Sequence, residues 1–412
     1  MCCFLKLVRT LNNKRHVLYL SYTGMLEPLG RSQVLGYLSR LSNDYIFTLV
    51  SFEKQKDFAD EQAVAEMHQE CTNYGITWRP RVYHHRPRLL ATLWDLLVLL
   101  WLTFWYSARR KVCLVHCRSY IPAIAAWLCG KITHKPFIFD MRALWPDEMI
   151  SAGRLDKASI IYMLLKKMEY WLLRDAHVVV SLTEAAVTYL TRLYVELDKS
   201  KFHVITTCVD LSRFDLKEKR QPFENKQFVL GTMGTLLSGW FHLDWLFEFF
   251  LDIEKRQPGV ILKIVTKDDH AVIIQKALEA GIPKDKLVLE SCQPNDIHQH
   301  ITDFDVAVLF FVSDIGKFGS SPTRLGELLA AGVPIVGNHG IGDMGTLIEE
   351  YGVGIAVQEG TIVELSRAAD QLIEYLHNQY DPMLCRKAAE DYFSVEKGVD
   401  QYRTIYSQVE SL

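Results

Sequence analysis

The sequence has few features of metal-binding, disulfide-bonded or nucleic-acid-binding proteins. Its nine cysteines form no CxxC pair, so it indicates neither a zinc ribbon nor a disulfide framework, and we expect reduced thiols. No DxD signature stands at the end of a strand pattern, and Asp268-Asp269 alone is a weak indication of a metal site. The formal net charge of −3 argues against a nucleic acid partner. We therefore expect no metal, no resident cofactor and no polyanion.

The N-terminus lacks the uninterrupted apolar stretch of a secretory signal. Its first fifteen residues, MCCFLKLVRTLNNKR, are broken by charge at four places. Such a segment does not match a signal-peptide core. We expect the folded body of the protein to stay in the cytoplasm.

Short apolar runs alternate with longer helical patterns through almost the whole chain. Its 412 residues, 49% of them hydrophobic, are too many for one core and predict two or three domains. Apolar runs separated by helices predict parallel sheets, here in two doubly wound α/β domains. The predicted strands are HVLYLSY (16–22), YIFTLVSF (45–52), VCLVHC (112–117), PFIFDMR (136–142), AHVVVSL (176–182), FVLGTMG (228–234), ILKIVTK (261–267), KLVLES (286–291), DVAVLFF (305–311) and VPIVGN (333–338).

The stretch FGSSPTRLGELLAAGVPIVGN (318–338) predicts a helix that leads into a strand. Ser320 and Ser321 are good N-cap residues and Pro322 suits a first turn, so we expect the helix to begin near Ser321. Its free amides and Arg324 would favour a phosphate, while Glu327 could accept hydrogen bonds from sugar hydroxyls. The alternative is an ordinary capped helix with a solvated glutamate.

Seven motifs occur in the order typical of one enzyme family. They are GMLEPLGRSQVLGYL (24–38), DMRALWPDE (140–148), DAHVVVSLTEAAVTYL (175–190), VITTCVDLSRF (204–214), GTMGTL (231–236), SPTRLGELLAAGVPIV (321–336) and FSVEKGVDQYRTIY (393–406). With these motifs the chain resembles the retaining GT-B glycosyltransferases of family 4, from about Val17 to the last helix.

The resemblance implies two Rossmann-like domains that hold their substrates in a cleft between them. We expect an acceptor-binding domain over 1–209, a polar linker over 210–227, a nucleotide-sugar-binding domain over 228–390, and a C-terminal helix (391–412) that packs back on the first domain. The donor diphosphate should lie at the start of the helix near Ser321, and Glu327 should bind the ribose. The expected donor-binding residues are Gly234, Thr235, Ser320, Ser321, Pro322, Thr323 and Glu327.

The sequence departs from the family pattern at two places that concern the donor. Family members often carry a first glutamate eight positions before the second, and here that position is Gly319. Many also carry an arginine and a lysine after the glycine turn, where this chain has LLSGW (236–240). The charge that stabilises the leaving diphosphate must then come from Arg324 or Lys267. A solvated loop lysine is the alternative for Lys267.

Residues at other strand ends predict the acceptor side. Gly30 would bring backbone amides close to a ligand before a helix that begins near Arg31. His116 and Arg118 follow a strand, so His116 could bind the transferred sugar or the acceptor, or could be a satisfied structural group. Three further charged residues, which could instead form an ion-pair network that shapes their loop, complete the predicted acceptor site: Asp140, Arg142 and Glu148.

One long apolar segment bears on location. LLATLWDLLVLLWLTFWYSARRK (89–111) is interrupted mainly by Asp95 and has basic residues on both sides. A membrane span would separate the strand at 112–117 from the rest of its sheet, so we expect either a buried helix or one lying at the membrane surface. The second alternative would place the enzyme at the inner face of the cytoplasmic membrane.

The resemblance implies a retaining transfer of a sugar from a nucleotide-sugar donor, and the lack of metal-binding motifs predicts that this transfer is metal-independent. The resemblance implies a glycan or lipid-linked glycan acceptor in surface polysaccharide biosynthesis. A two-carboxylate hydrolase is disfavoured because no matched pair of acidic residues stands out. A sugar-nucleotide 2-epimerase and a non-catalytic sugar-nucleotide-binding partner remain alternatives.

Overall fold

The computed structural model describes residues 14–109, 112–218 and 227–410. The N-terminal segment 1–13, the basic residues Arg110 and Lys111, and most of the predicted linker (219–226) lie outside the described residues. The chain divides into two compact units. Among described residues, the N-terminal unit contains those up to Leu182, Ala186–Ile205 and those from Gly398, and the C-terminal unit contains Thr183–Ala185 and Thr206–Lys397.

The N-terminal unit is built on a seven-stranded parallel sheet. Its strands are β1 (Arg15–Ser21), β2 (Tyr45–Lys54), β3 (Thr77–Tyr83), β4 (Val112–Arg118), β5 (Phe137–Asp140), β6 (Val178–Ser181) and β7 (Phe202–Val204), in the order β3-β2-β1-β4-β5-β6-β7. The order reverses between β1 and β4, where Val17 pairs with both Phe47 and Leu114. In a doubly wound sheet, ligands bind beyond the carboxyl ends of strands at such a reversal.

Helices connect these strands and cover the sheet. They are α1 (Pro28–Gly30), α2 (Gly36–Leu41), α3 (Gln55–Phe58), α4 (Glu61–Asn73), α5 (Arg88–Arg109), α6 (Tyr120–Thr133), α7 (Trp145–Ser151), α8 (Ile160–Asp175) and α9 (Glu184–Leu193), with a π-helical segment at Arg31–Leu35 and a 3-10 turn at Lys199–Lys201. The inner strands are buried along nearly all of their length, which explains their almost continuous apolar sequences.

The C-terminal unit repeats the theme with six parallel strands. They are β8 (Val229–Met233), β9 (Ile261–Val265), β10 (Leu287–Glu290), β11 (Val306–Leu309), β12 (Ile335–Asn338) and β13 (Gly354–Val357), in the order β10-β9-β8-β11-β12-β13. This order reverses between β8 and β11. Phe249, Phe304 and Phe310 are among the fully buried side chains of its core.

The remaining helices follow the same alternation along the chain. They are α10 (Leu243–Arg256), α11 (His270–Glu279), α12 (Ile297–His300), α13 (Thr323–Ala330), α14 (Met344–Tyr351), α15 (Ile362–Asn378), α16 (Pro382–Tyr392) and α17 (Val395–Glu410), with 3-10 turns at Leu211–Arg213, Lys284–Lys286 and Ile315–Gly319. From Gly398 onward α17 belongs to the N-terminal unit. The two-domain α/β prediction is confirmed.

Three strands were absent from the sequence prediction. They are β3, β7 and β13, and each lies at the edge of its sheet. Edge strands are less buried and need no continuous apolar run, and β3 even contains Pro80. Their short or mixed sequences therefore carry no clear strand pattern.

Candidate functional site

The centre of the C-terminal unit's candidate site is a contact between the glycine turn and Arg324. Gly234 follows β8 with a φ of +95°, and a Cβ added there would lie 2.5 Å from the Arg324 Cζ. The guanidinium donates a 2.6 Å hydrogen bond from Nη1 to the Met233 carbonyl and lies 5.1 Å from the centre of the Phe311 ring. Gly234 follows β8 and Phe311 follows β11, so Arg324 lies at the point where the strand order reverses between these two strands.

Arg324 keeps its charge in this position. Burial lowers the pKa of its guanidinium to about 10, although Glu327 and Asp268 act in the opposite direction. A pKa of about 10 still leaves the group cationic at neutral pH. The N-terminal turn of α13 therefore carries a positive side chain beside the positive end of the helix dipole.

Glu327 lies one turn further along α13. Burial raises the pKa of its carboxyl to about 7, against the attraction of Arg213 and Arg324. No described residue donates a hydrogen bond to this carboxylate. A half-buried carboxylate without a protein donor costs free energy, and hydroxyls of a bound sugar would satisfy it.

The loop before α13 differs from the predicted cap. The helix begins at Thr323 with Pro322 at the N-cap, and no side chain caps it. The prediction of a start near Ser321 with a serine cap was wrong, because the Ser321 hydroxyl lies 3.1 Å from the Thr207 hydroxyl instead. Thr207 also donates a 2.6 Å hydrogen bond to the Ser321 carbonyl, and Ser320 N–H donates to the Lys317 carbonyl. These bonds fix the loop. Leu325 N–H donates to the Pro322 carbonyl, so the amides of Thr323 and Arg324 are the ones at the helix end that could meet a ligand.

An acidic residue holds the loop that follows the glycine turn. The Asp268 carboxylate accepts hydrogen bonds from Leu236 N–H at 2.6 Å and from Leu237 N–H at 2.8 Å. These two amides are therefore not available to a phosphate. Thr235, which comes just before them, is exposed. Sequence reasoning considered Asp268 only as a weak metal ligand and missed this positioning role.

Lys317, a lysine that the sequence prediction missed, lies beside the segment that follows the glycine turn. Lys317 Nζ lies 3.6 Å from the centre of the Trp240 ring, in the LLSGW segment. Trp240 accepts a hydrogen bond at its carbonyl from Val312 N–H, next to Phe311. The predicted candidate, Lys267, is exposed and donates a 2.8 Å hydrogen bond to Gln293. An indole orients an ammonium without supplying a negative counter-charge.

In the N-terminal unit, His116 is buried rather than open to a ligand. The residue is 1% exposed, its Nδ1 lies 2.7 Å from the Tyr406 hydroxyl, and its Nε2 lies 3.5 Å from Asp140. The rings of Tyr19 and Tyr402 pack on it. Burial lowers the pKa of the imidazole, although Asp140 favours its charged form. The prediction that His116 binds a sugar is therefore corrected, because both ring nitrogens face groups of this unit.

The predicted charged residues of this unit form one buried cluster. Burial would raise the pKa of Asp140, but Arg142, followed by His116 and Arg118, lowers it to about 2. Arg142 Nη1 lies 3.4 Å from Asp140, and Arg118 Nη1 lies 4.0 Å from it. The Tyr402 hydroxyl of α17 donates to Asp140 at 3.2 Å. These contacts match the ion-pair network that the sequence analysis left open, and they attach α17 to the sheet.

The other predicted acceptor residues, Gly30, Arg31 and Glu148, do not belong to this buried cluster. The helix begins at Pro28 and not near Arg31, because proline suits a first turn. Gly30 lies inside that turn, where a Cβ would be 2.0 Å from the Gly24 carbonyl oxygen, so close packing requires this glycine. Arg31 forms a 2.7 Å surface ion pair with Glu70. Glu148 lies half-buried in the first turn of α7.

A buried carboxylate that sequence reasoning missed shapes the loop before Gly30. Glu53, at 0% exposure, accepts hydrogen bonds from Met25 N–H at 2.9 Å and Leu26 N–H at 3.0 Å. The one feature of the sequence that could have predicted this role is the position of Glu53 near the end of an apolar strand pattern.

Comparisons with known proteins agree with this architecture. Residues 41–213 match the sequence model of Glycosyltransferase Family 4. Residues 41–213 are thus similar to this family, and the chain as a whole has the GT-B fold. No curated protein sequence matches it.

Solved structures share the fold of this chain over nearly its whole length. A glycosyltransferase from Rickettsia africae ESF-5 is 15% identical, with a TM-score of 0.68, and the match covers 96% of this chain and 99% of that one. HepE of Anabaena in complex with UDP is 14% identical, with a TM-score of 0.68 and coverage of 95% and 100%. The lipopolysaccharide outer core galactosyltransferase WaaB is 12% identical, with a TM-score of 0.67 and coverage of 95% and 99%.

Helix α5 of this chain exposes apolar side chains and buries polar ones. Among the described residues, its segment Leu90–Ala108 is the one helical stretch long and apolar enough to cross a membrane, by length and composition alone. Asp95, Thr103 and Ser107 are buried. The exposed face, called the α5 apolar face below, consists of Leu90, Leu93, Trp94, Leu97, Trp101, Phe104 and Trp105, each between 38% and 66% exposed.

This pattern is the reverse of that expected for a helix facing water. A surface helix of a globular protein normally turns its polar side outward. Contiguous exposed apolar patches of this kind mark an interaction surface. One side of α5 packs against the N-terminal unit, where Leu99 and Leu102 are buried, and the other side is exposed.

Proposed function

We propose that this glycosyltransferase moves a sugar, with retention and without a metal ion, from a nucleotide-sugar donor to a glycan or lipid-linked glycan in surface polysaccharide biosynthesis. The observation that carries the proposal is the arrangement of Gly234, Arg324 and Glu327 at the reversal of the C-terminal sheet. It combines a glycine turn, a cation at a helix N-terminus, and a carboxylate to which no described residue donates a hydrogen bond.

Each part of this arrangement suits one part of a nucleotide sugar. The first-turn amides of α13 and the Arg324 guanidinium favour a diphosphate. Glu327 suits the ribose hydroxyls because a carboxylate only accepts hydrogen bonds. HepE, which shares the fold, was crystallised with UDP, which supports testing uridine diphosphate sugars first.

In the proposed reaction, the bond between the anomeric carbon and the diphosphate oxygen breaks and its electron pair moves to the diphosphate. The acceptor oxygen forms its bond to the anomeric carbon on the face that the diphosphate leaves, and its proton passes to the departing phosphate oxygen. Negative charge grows on the diphosphate during this step. Fixed cations at Arg324 and Lys317 would stabilise that charge in the transition state.

We also propose that the enzyme is cytoplasmic and contacts the membrane through the α5 apolar face. Three of its seven side chains are tryptophans, and the rings of Trp101 and Trp105 lie 5.5 Å apart. Tryptophan suits the membrane–water boundary because it has an apolar body and a polar N–H. Such contact would bring a lipid-linked acceptor to the enzyme.

The test is a screen of the purified chain against uridine, guanosine, adenosine and thymidine diphosphate sugars. A true donor should raise the melting temperature, and the enzyme should hydrolyse it slowly without acceptor. Product released with the donor's anomeric configuration would support retention, and chelator should leave the rate unchanged. Binding without turnover would favour the non-catalytic alternative, and formation of a 2-epimer would favour the epimerase.

A further inference from the structure

A pocket of about 460 Å³ opens at the start of α5. Its volume lies in the range of small-molecule sites. His84 and Arg86 form its polar side, and the lining residues Leu90, Leu93, Trp94 and Leu97 belong to the α5 apolar face. The pocket therefore joins a polar end to an apolar surface.

The orientation of His84 is fixed by a carboxylate inside the apolar helix. Asp95 is 0% exposed, and its oxygens lie 2.6 Å from His84 Nδ1 and 3.1 Å from His84 N. The Tyr22 hydroxyl donates to the same carboxylate at 2.9 Å. Since Asp95 accepts, Nδ1 donates, and among the described residues Nε2 has no hydrogen-bond partner. A buried carboxylate is costly unless it is well paired, and here its pairing holds the imidazole in one position.

The pocket lies at the carboxyl edge of the N-terminal sheet, beyond its edge strand β3. Tyr22 directly follows β1 and His84 directly follows β3. Both are therefore at the carboxyl edge of the sheet, which is also the edge of Arg118 and Asp140. A ligand in the pocket would have its polar end at the acceptor-side edge of this unit.

Arg86 supplies the charge that selects the ligand. Its side chain is exposed, and no described residue forms an ion pair with it. An unpaired guanidinium suits phosphate oxygens. The neighbouring imidazole Nε2 can accept a hydrogen bond from the P–OH of a phosphate monoester, or donate to a phosphate oxygen when the ring is protonated. The apolar wall that continues to Trp101 and Phe104 suits a hydrocarbon chain instead.

We propose that this pocket binds the phosphate group of a lipid-linked acceptor, with the lipid chain lying along the α5 apolar face. The proposal rests on the proposed glycosyl transfer and names its acceptor as a phosphate-bearing lipid. The pocket places a cationic side chain next to an apolar wall, which matches a phosphate group joined to a hydrocarbon chain. This match favours a phosphate-bearing lipid over a protein partner, because a protein partner would not require a phosphate.

The experiment measures binding of three probes to the full chain by calorimetry, below their critical micelle concentrations. Octyl phosphate should bind about tenfold or more tightly than octyl glucoside, because it alone can form charge-assisted hydrogen bonds. Inorganic phosphate should bind much more weakly than octyl phosphate, since it lacks the chain. Arg86→Ala should remove the preference for octyl phosphate, and His84→Gln should reduce it.

Arg79→Ala is the matched control, because Arg79 is an exposed arginine on β3 outside the pocket. Equal affinity for octyl phosphate and octyl glucoside in the unsubstituted chain would overturn the proposal without any variant. Inorganic phosphate binding as tightly as octyl phosphate would identify a free-phosphate site and overturn it too. Nucleotide-sugar binding by the unsubstituted chain is measured in parallel, so that a failure of the donor site is distinguished from a failure of this pocket.

Discussion

The guanidinium of Arg324 packs directly against Gly234, so the glycine turn and the helix end form one surface. A side chain at Gly234 would occupy the position of the guanidinium. Glycine is therefore required here for two reasons: the backbone φ is +95°, and the guanidinium occupies the space that a Cβ would need. This relationship supports the first prediction.

Gly234→Ala should weaken nucleotide binding and destabilise the C-terminal unit. The left-handed backbone costs about 1–2 kcal/mol for a residue with a Cβ, and overpacking against Arg324 adds about 1–3 kcal/mol. Gly239→Ala is the control, since Gly239 also has a positive φ, +77°, but its Cβ would contact nothing within 4 Å. Denaturant unfolding and nucleotide titration measure both effects. Equal nucleotide affinity in the two variants would contradict the proposed role of the contact.

Glu327 should make stability depend on pH. Burial raises the pKa of its carboxyl from 4.5 to about 7, so the folded protein holds a proton that the unfolded chain releases between these values. Compared with Glu327→Gln, the free energy of unfolding should therefore fall by about 1–3 kcal/mol as pH rises from 4.5 to 7, and then stay level. Unfolding of both proteins across that range measures the difference, and parallel curves would contradict it.

Glu327→Ala should also weaken nucleotide binding while the protein stays folded. Loss of hydrogen bonds from ribose hydroxyls to a charged group should lower affinity about tenfold or more. Titration with the nucleotide identified in the screen provides the measurement. Unchanged affinity would remove Glu327 from the donor site.

Arg324→Ala should lower turnover by about a hundredfold or more, the usual cost of losing one group that stabilises developing charge. Donor affinity should fall much less, because the leaving diphosphate gains charge only in the transition state. Arg324→Lys should recover part of the rate, since a point charge replaces a two-pronged donor. Full turnover with only a raised KM would show that Arg324 binds the ground state.

The two lysine candidates can be separated by kinetics. Lys317→Ala should lower kcat about tenfold or more, because Trp240 holds the Lys317 ammonium without neutralising it. Lys267→Ala should change kcat by less than about twofold, because Lys267 is exposed and bound to Gln293. The opposite ranking of the two variants would return the catalytic role to Lys267.

The double variant Trp101→Ser, Trp105→Ser should remain folded but lose binding to anionic vesicles. Their exposures of 58% and 38% make both changes tolerable for the fold. The control is Ile362→Ser with Val363→Ser, which removes two exposed apolar side chains from α15 in the other unit. Vesicle sedimentation with phosphatidylglycerol and phosphatidylcholine measures binding. A folded tryptophan variant that still sediments would exclude the membrane contact.

The sequence by itself determined the α/β class and the ten inner or strongly apolar strands, and it predicted Arg324 and Glu327 as donor-site candidates. These features are local, because apolar period, glycine turns and helix-end chemistry act over a few residues. Tertiary structure alone decided which groups meet. The burial of His116 depends on Tyr406, 290 residues away, and the placement of Lys317 depends on Trp240. The outward apolar face of α5 also depends on packing, because hydrophobic composition predicts burial but not which side of a helix the neighbouring elements cover.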